Sequence, residues 1–585
     1  LKNEELIVFD VETTGVDVWN DIIVGHVLTA TSIDRHYYVP TDHQDATLPQ
    51  LNRDYVAKHL RLIYEDDSIK KIAHNAKFDM QMLANNFNIE LRGLAWDTQE
   101  AMILLNENEP TYALKPLVSK YLRDKSYTYG QLFGDKGFDE VPLDEALAYA
   151  AKDGDVTYRL FEFQRYQMKK VGNIYEYFTE IEMPLMTIVS DMELMGYDID
   201  VEYANKVADR LRKESEAIEK DIVNELNPYY WKASGKDNDI NIGSPAQLKK
   251  AIEGITGKEP KSSDKNTLKQ LNREGYEVFG RILDYRDKRK LLTTYYEALP
   301  NLIQEKTGRV HTRYHQNGAK TGRFSSGGSG SFNIQNQSPE AMRMFVVPDY
   351  KVLVTADFSA QEVRIIAALS KEDVLIEAFE KEVDAYATLA SRFFKKPYEE
   401  VYKLPNGEDT PERLQMKVVL LMSMYGASKY GVAQALNISP EEAETFLENF
   451  FKEYSKIATF INETHEFVKK HGFVWIGDKQ RKRRLPEAKM KRKFIPFGKW
   501  NDPKYEKARI YNSRISKSMR QSPNARVQGL GAIQTKMVLL AIQKEANKRD
   551  FTIWTTRHDD ISVLMNDDEH LTDNLYRLDE LMTQT

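Results

Sequence analysis

Residues 353–364 read LVTADFSAQEVR, an apolar run that ends on a carboxylate, Asp357. The run from Val352 to Phe358 predicts a strand whose end presents that acid. Far downstream, FTIWTTRHDDISVLM (551–565) predicts strand, tight turn, strand, with His558, Asp559 and Asp560 at the turn. A strand end beside a hairpin turn is a rigid place to hold carboxylates against divalent metal ions. Between the two lies RLQMKVVLLMSMYG (413–426), in which Arg413, Lys417, Leu421 and Tyr425 step by four. On a helix they form one slowly spiralling face about 18 Å long. Two like charges on one face repel mildly, so an anion is a sensible partner for them. The two cations could grip a triphosphate, with Tyr425 farther along, near a base.

A second group of acids opens the chain. FDVETTG (9–15) places Asp10 and Glu12 on one side of an extended segment. HNAKFD (74–79) adds Asp79, and YAAKD (149–153) adds Tyr149 and Asp153, four apart on one helix face. Any one of these acids alone is more often a helix cap or a surface charge; the ordered combination is far more specific. Hard carboxylate oxygens suit Mg2+ or Mn2+. Two such ions roughly 3.5–4 Å apart can activate a water and stabilise a leaving oxygen, with Tyr149 orienting the water.

Size and composition bound the rest. At 585 residues, 41% hydrophobic and 29% charged, the chain is an ordinary globular sequence too long for one core. No apolar run approaches the ~20 residues of a membrane helix. The absence of cysteine excludes disulfides, thiol nucleophiles and Cys-type zinc sites. Net charge is −7, yet residues 479–493 read KQRKRRLPEAKMKRK, and binding follows local charge rather than the sum. Against the alternative of a solvated loop, its place between Asp357 and the Asp559–Asp560 turn favours phosphate contact. Neutralising it should then weaken polyanion binding and flatten its salt dependence.

Alternating strand-like and helical stretches to about residue 165 predict an α/β domain. GYDID (196–200) leads into a helical pattern carried by Tyr203, Val207, Leu211, Ile218, Ile222 and Leu226. Residues 227–275 read as polar and broken, and a second helical stretch runs from about 276 to 305. Residues 373–470 are mainly helical, and SSGGSGS (325–331) reads as a flexible loop.

Both acidic groups resemble known families. D-x-E, N-x3-D and Y-x3-D resemble the DEDD superfamily of 3′–5′ exonucleases, in the subgroup with Tyr in its third motif. LVTADFSAQEVR, R-x3-K-x7-YG and HDD resemble motifs A, B and C of family A DNA polymerases of the bacterial DNA polymerase I type. RVHTRYHQNGAKTGRFSS (309–326), FNIQN (332–336), RQSPNARVQG (520–529) and EMPLMTIVSDMELMGYDID (182–200) extend the resemblance over nearly the whole chain.

The fold so implied is α/β and α+β multidomain: an RNase H-like 3′–5′ exonuclease domain followed by a right-hand polymerase. The implied boundaries are exonuclease 1–170, a segment leading into the palm 171–200, thumb 201–305, first palm part 306–372, fingers 373–470 with the motif B helix at 411–427, and second palm part 471–585. The resemblance also implies roles. Asp357 and Asp559 bind two metal ions, and Asp560 stands third. Arg413 and Lys417 bind the incoming phosphates, with Lys417 a proton donor to pyrophosphate. Glu362 crowds a ribose 2′-OH, and Tyr425 stacks near the templating base. Arg323, Asn333, Gln335, Asn336, Arg520, Asn524, Gln528 and His558 face DNA, in part through minor-groove acceptors that are nearly independent of sequence.

Several positions depart from the family pattern. Leu421 stands where an aromatic is usual, Phe358 where Tyr is, Ala360–Gln361 where Gln–Ile is, Tyr386 where a phosphate-contacting His is, and Asp560 where Glu is. The chain begins with Leu and ends 25 residues after Asp560, which suggests a fragment or a truncated terminus. In the sequence given no 5′-nuclease domain precedes the exonuclease, a layout of large fragments and of phage-like polymerases; the motif departures favour a phage or mobile-element origin, and a missing N-terminal 5′-nuclease domain or phage replication proteins are the further partners expected. The activity implied is template-directed DNA synthesis from primer-template DNA and dNTPs with 3′–5′ proofreading. Two Mg2+ or Mn2+ per active site, a monomer, no membrane, and the cytoplasm of a bacterial or infected cell complete the expectation. A single-subunit RNA polymerase and a non-catalytic DNA-binding repair scaffold are the alternatives.

Overall fold

The computed structural model describes residues 1–45, 49–328, 330–500 and 502–584. Two compact units emerge. Leu1–Leu194, Tyr314–Ser325 and Tyr350–Thr585 compose the first, and Met195–Arg313 with Ser326–Asp349 the second.

The first unit opens on a five-stranded sheet: β1 (Leu6–Thr13), β2 (Ile23–Ala30), β3 (Arg35–Pro40), β4 (Lys70–Ala73) and β5 (Leu94–Asp97), in the order β3-β2-β1-β4-β5. β2 runs antiparallel to β1 and β3, whereas β4 runs parallel to β1 and β5. Ile7, Val8 and Phe9 are buried, as expected of a strand covered on both faces. The strand continues through Asp10 and Glu12, with an irregularity at Glu12/Thr13. Helix Leu143–Met168 packs against β1, β2 and β3. Gly154 allows this approach, since a Cβ there would lie 2.5 Å from Thr29 Oγ1.

Farther along the first unit, strand Lys351–Asp357 pairs antiparallel with Asp560–Asn566, which pairs with Thr552–Arg557. Seven helices between Asp373 and His471 pack around Leu375, Leu389, Met416, Leu420, Phe450 and Ile457. The 44-residue helix Glu506–Arg549 returns the chain to the three-stranded sheet. The motif B helix spans Pro411–Met424, shorter than the expected 411–427. Gly426 takes φ +65° and stops it, leaving Tyr425 as the cap.

In the second unit, helix Val201–Ser234 runs beyond the point where the apolar pattern fades and passes through Pro228. The segment 227–275, expected to be broken, holds helices Pro245–Thr256 and Lys265–Arg273. Leu248, Ile252, Leu268 and Leu271 seal a core with Ile222, Leu226, Tyr230 and Phe279. Short amphipathic helices between turn residues hide in a polar composition. The following α-helix ends at Leu291 rather than near 305 and gives way to a π turn, Leu292–Tyr296. Part of SSGGSGS is tied down instead of loose: Gly327 N donates to Arg313 O at 2.9 Å and Ser331 N to Gly328 O at 3.2 Å. Ser329 lies outside the described residues.

A buried polar cluster sits inside the first unit. Glu182 is fully buried and accepts from Lys536 Nζ (2.7 Å), Arg481 Nη1 (3.0 Å), Tyr177 OH (2.7 Å) and Gln316 Nε2 (2.7 Å). Asn317 Nδ2 donates both to Glu182 (3.0 Å) and to Glu100 (2.9 Å), on helix Thr98–Leu105. The two cations hold Glu182 below the usual carboxylate range despite its burial. Glu182→Gln leaves both cations facing a neutral amide, so unfolding free energy is expected to fall by about 3–5 kcal/mol. Urea denaturation checks this; an unchanged midpoint would show that the cluster does not join these elements. Among the described residues no helix is long and apolar enough to cross a membrane.

Candidate functional site

The first acidic group assembles on β1 and two helices. Asp10, Glu12 and Asp153 bring carboxylate oxygens within 4.8 Å of one another. Asp79 adjoins them: its Oδ1 accepts from Val11 N at 3.4 Å. Its helix, Ala76–Phe87, is placed by Asp97, whose Oδ2 accepts from Ala76 N at 2.6 Å while Oδ1 caps the next helix. Tyr149 shares the Asp153 helix, as its spacing predicts.

The electrostatics favour a cation. Burial pushes Asp10 up to about 6 despite the Val11 N–H and Lys115 nearby. Burial, then the charge of Asp10, lifts Glu12 and Asp79 well above the usual range. Glu12 Oε1 is buried with no hydrogen-bond partner. Such a cradle of hard oxygens, costly to ionise alone, fits a divalent ion.

Lys115 was missed by sequence reasoning. Its ammonium pairs with Asp153 and lies 4.6 Å from the Tyr149 ring centre. Burial pushes it down to about 8, against the pull of Glu12 and Asp10. A signal existed: Lys115 stands three residues before the buried Val118 on helix Leu114–Leu122, so a charge lies on its apolar side.

The second group is built by strand register. Asp357 stands opposite Asp560, and Phe358 N donates to Asp559 O at 3.1 Å. His558 turns the chain with φ +61°. Burial, then Asp559 and Asp560, raises Asp357. Asp560 is engaged by Arg557, Nη2 to Oδ2 at 3.0 Å, which offsets the upward push of its burial. The third carboxylate therefore has a cationic partner, whereas no ion pair is seen for Asp357 or Asp559 among the described residues.

Around this pair, Glu362 accepts from Arg323 Nη2 at 2.6 Å and from Tyr425 OH at 3.1 Å, and Gln528 Nε2 donates to Tyr425 OH at 2.8 Å. Four residues quoted from distant stretches thus meet. Arg520 and Asn524 share the Gln528 helix. Gln361, a departure from the family pattern, turns inward and donates to Gly531 O (3.3 Å) and Gln534 Oε1 (3.1 Å) on that helix. Asn333, Gln335 and Asn336 belong to the second unit, where Ser326 Oγ bonds Asn333 Oδ1 (2.8 Å) and Gln335 N (3.3 Å).

Arg413 does not present a bare charge. Nε and Nη2 fork onto Asp384 at 3.0 and 2.7 Å, and Nη1 reaches Asp409 at 2.5 Å. The anion that its spacing calls for is supplied, in this state, by the chain itself. Lys417 is exposed and has no carboxylate partner among the described residues. Tyr386 lies beneath both cations, 5.5 Å from Arg413 and 6.0 Å from Lys417. Leu421 is half-buried one turn beyond Lys417.

The basic run 479–493 is not one phosphate-binding stretch. Arg481 to Arg484 form a strand paired with Phe473–Ile476. Arg481 is spent on Glu182, while Arg483 and Arg484 reach Glu107 at 3.0 and 2.7 Å. Alternation turns Arg481 and Arg483 into the interior, where carboxylates meet them. Lys491, Arg492 and Lys493 remain exposed.

Comparison with known proteins follows this division. A family model described as DNA polymerase family A matches residues 202–584, and one described as 3′-5′ exonuclease matches residues 1–168. DNA polymerase I of Pseudomonas aeruginosa is 31% identical over 494 residues, 81% of this chain and 52% of the relative. That of Chloroflexus aurantiacus is 30% identical over 567 residues, 93% of this chain and 55% of the relative. The chain thus spans about half the length of the curated relatives it matches. A solved POL domain of Pol1 from M. smegmatis, in complex with DNA primer-template and dNTP, is similar in fold: TM-score 0.80 at 22% identity, covering 100% of this chain and 93% of that one.

Proposed function

The chain belongs to DNA polymerase family A, and from that membership we propose that it extends a primer 3′-OH on a DNA template and removes mispaired 3′ nucleotides at a second site. One observation carries the reading: two separate carboxylate groups, each within its own matched domain, stand among the side chains their chemistry needs. We assign 1–170 to the exonuclease, 171–200 to the approach to the palm, 201–305 to the thumb, 306–372 and 471–585 to the palm and 373–470 to the fingers.

At the first site Asp10, Glu12, Asp79 and Asp153 would hold divalent ions, and at the second Asp357 and Asp559 would, with Asp560 subordinate. Mg2+ or Mn2+, two per site, supplies activation of the attacking oxygen and neutralisation of phosphate charge when bound. Tyr149 orients the attacking water in the first site, and Lys115 must release Asp153. In the second, Arg413 and Lys417 hold the triphosphate, and Lys417 protonates the leaving pyrophosphate. Leu421 and Tyr386 border it. Glu362, fixed by Arg323 and Tyr425, crowds a ribose 2′-OH, while Tyr425 stacks by the template base. Arg520, Asn524 and Gln528 follow the minor groove, with Asn333, Gln335, Asn336 and His558 as further DNA contacts. Primer-template DNA and dNTPs are the partners, the working form a monomer, and the compartment the cytoplasm of a bacterial or infected cell.

Primer extension with labelled dNTPs or rNTPs tests this. Deoxynucleotides are expected to be favoured by at least roughly 10²-fold, and Glu362→Ala to erode most of that preference through rNTP incorporation. Equal use of rNTPs by the unaltered protein would return the RNA polymerase reading; no extension at all would favour a DNA-binding scaffold.

The first site also predicts a pH dependence. Asp10 holds its proton to about 6, whereas unfolded Asp releases it near 4. Between these values the native state binds more protons, so the metal-free protein loses stability as pH rises through that window. Mg2+ is therefore expected to raise the melting temperature more at about pH 7.5 than at about pH 5. Equal shifts would remove these carboxylates as the ion's ligands.

A further inference from the structure

Residues 489–520 carry eleven lysines and arginines against two acids, Asp502 and Glu506, in a chain of net charge −7. Within this stretch Phe494 is 82% exposed, Phe497 106% and Trp500 57%. A single exposed aromatic is ordinary. Three within seven residues, directly preceded by Lys491, Arg492 and Lys493 and with Lys499 among them, are not explained by packing.

The loop that bears them is fastened to the long helix. Asn512 accepts from Lys493 N and donates to Lys493 O, both at 2.8 Å. Arg492 Nη2 donates to Ser516 Oγ at 2.8 Å, and Arg509 Nη1 donates to Asp502 O at 2.9 Å. Between these anchors Gly498 takes φ +76°, and Lys499 N closes a turn onto Pro496 O at 3.1 Å. Lys493 and Asp502 are held on either side while the rings stay in solvent.

The same helix carries Arg520, Asn524 and Gln528, and Gln528 reaches Tyr425 and through it Glu362. Sixteen residues separate Gln528 from Asn512, about 24 Å along the axis. That length corresponds to at most about seven nucleotides at ~3.4 Å each.

We propose that Phe494, Phe497 and Trp500, with the cations beside them, form a stacking platform for unpaired bases of the template strand ahead of the primer terminus. Every base offers a π-face, so rings set among lysines and arginines bind single strands regardless of sequence. The cationic surroundings suit a polyanion better than the apolar core of a protein–protein interface. The inference rests on Arg520, Asn524 and Gln528 lining the primer-template.

The test is equilibrium binding to primer-templates with the same duplex and a 5′ template overhang of 2 or 12 nucleotides. The full chain is compared with F494A/F497A/W500A, whose rings support no core. The unaltered protein is expected to bind the long overhang more tightly. The variant loses that gain, roughly 10- to 100-fold, and keeps short-overhang binding and single-nucleotide insertion. Lys491→Gln/Lys499→Gln is expected to lower the salt slope by about 1.4 on the long overhang alone. No preference for the long overhang in the unaltered protein overturns the proposal, as does equal loss on both substrates. Undiminished long-overhang binding by the triple variant overturns it in favour of a protein partner. Failure of the unaltered protein to bind either substrate would instead remove the primer-template reading on which it rests.

Discussion

Asp357→Ala and Asp559→Ala are each expected to abolish primer extension, by roughly 10³-fold or more, and to leave hydrolysis of single-stranded DNA within about twofold of the unaltered protein. The expectation follows from how the carboxylates are placed. Asp357 ends a strand whose register sets it opposite Asp560, and the adjoining Phe358 N–H is bonded to Asp559 O. Neither carboxylate can be replaced by a neighbour, because Asp560 is already engaged by Arg557. Asp560→Ala is therefore expected to cost much less than either. The other acids stand on β1 and on helices of a different sheet, so truncation at Asp357 does not disturb them. Primer extension and exonuclease assays on the same preparations decide the matter. Joint loss of both activities in a folded variant would sink the reading of two independent sites.

The converse variant, Asp10→Ala/Glu12→Ala, is expected to lower hydrolysis of single-stranded DNA by roughly 10³-fold or more while primer extension persists. Mispaired primers should then be extended where the unaltered protein trims them. A second consequence separates this from a merely damaged domain. Asp10 and Glu12 are held beside each other against their own charge, with burial as the larger cost. Removing them relieves that cost, so above about pH 6 in EDTA the variant should melt no lower than the unaltered protein. Active sites commonly trade stability in this way. Equal hydrolysis by both proteins would refute the assignment.

Sequence revealed those parts of the molecule in which function is carried by residue type at fixed spacing. The strand through Asp10, the strand ending at Asp357, the hairpin at Asp559 and the helix of Arg413 were legible because apolar runs meet polar atoms at their ends. What was hidden depends on partners distant in the chain. Lys115 and Asp153 are far apart in sequence, and nothing local pairs them. Arg413 reads as an open cation until Asp384 and Asp409 are folded onto it. The run 479–493 reads as uniformly basic, yet strand alternation buries Arg481 and Arg483 and leaves the following lysines in water. The helices within 227–275 were missed because each is short and bounded by turn residues.

The cluster around Glu182 has a consequence for timing. It fastens the helix that leads on from Asp97 to the helix that carries Gln528, so elements that bear on the two carboxylate groups are tied together within one unit. Under the proposed function, the nucleic acid is then the moving part. On that reading a strand end passes from one site to the other only while it stays unzipped. Whether a nucleotide is kept or discarded is then a race between two clocks: the lifetime of the loose end and the waiting time before the next building block locks it down.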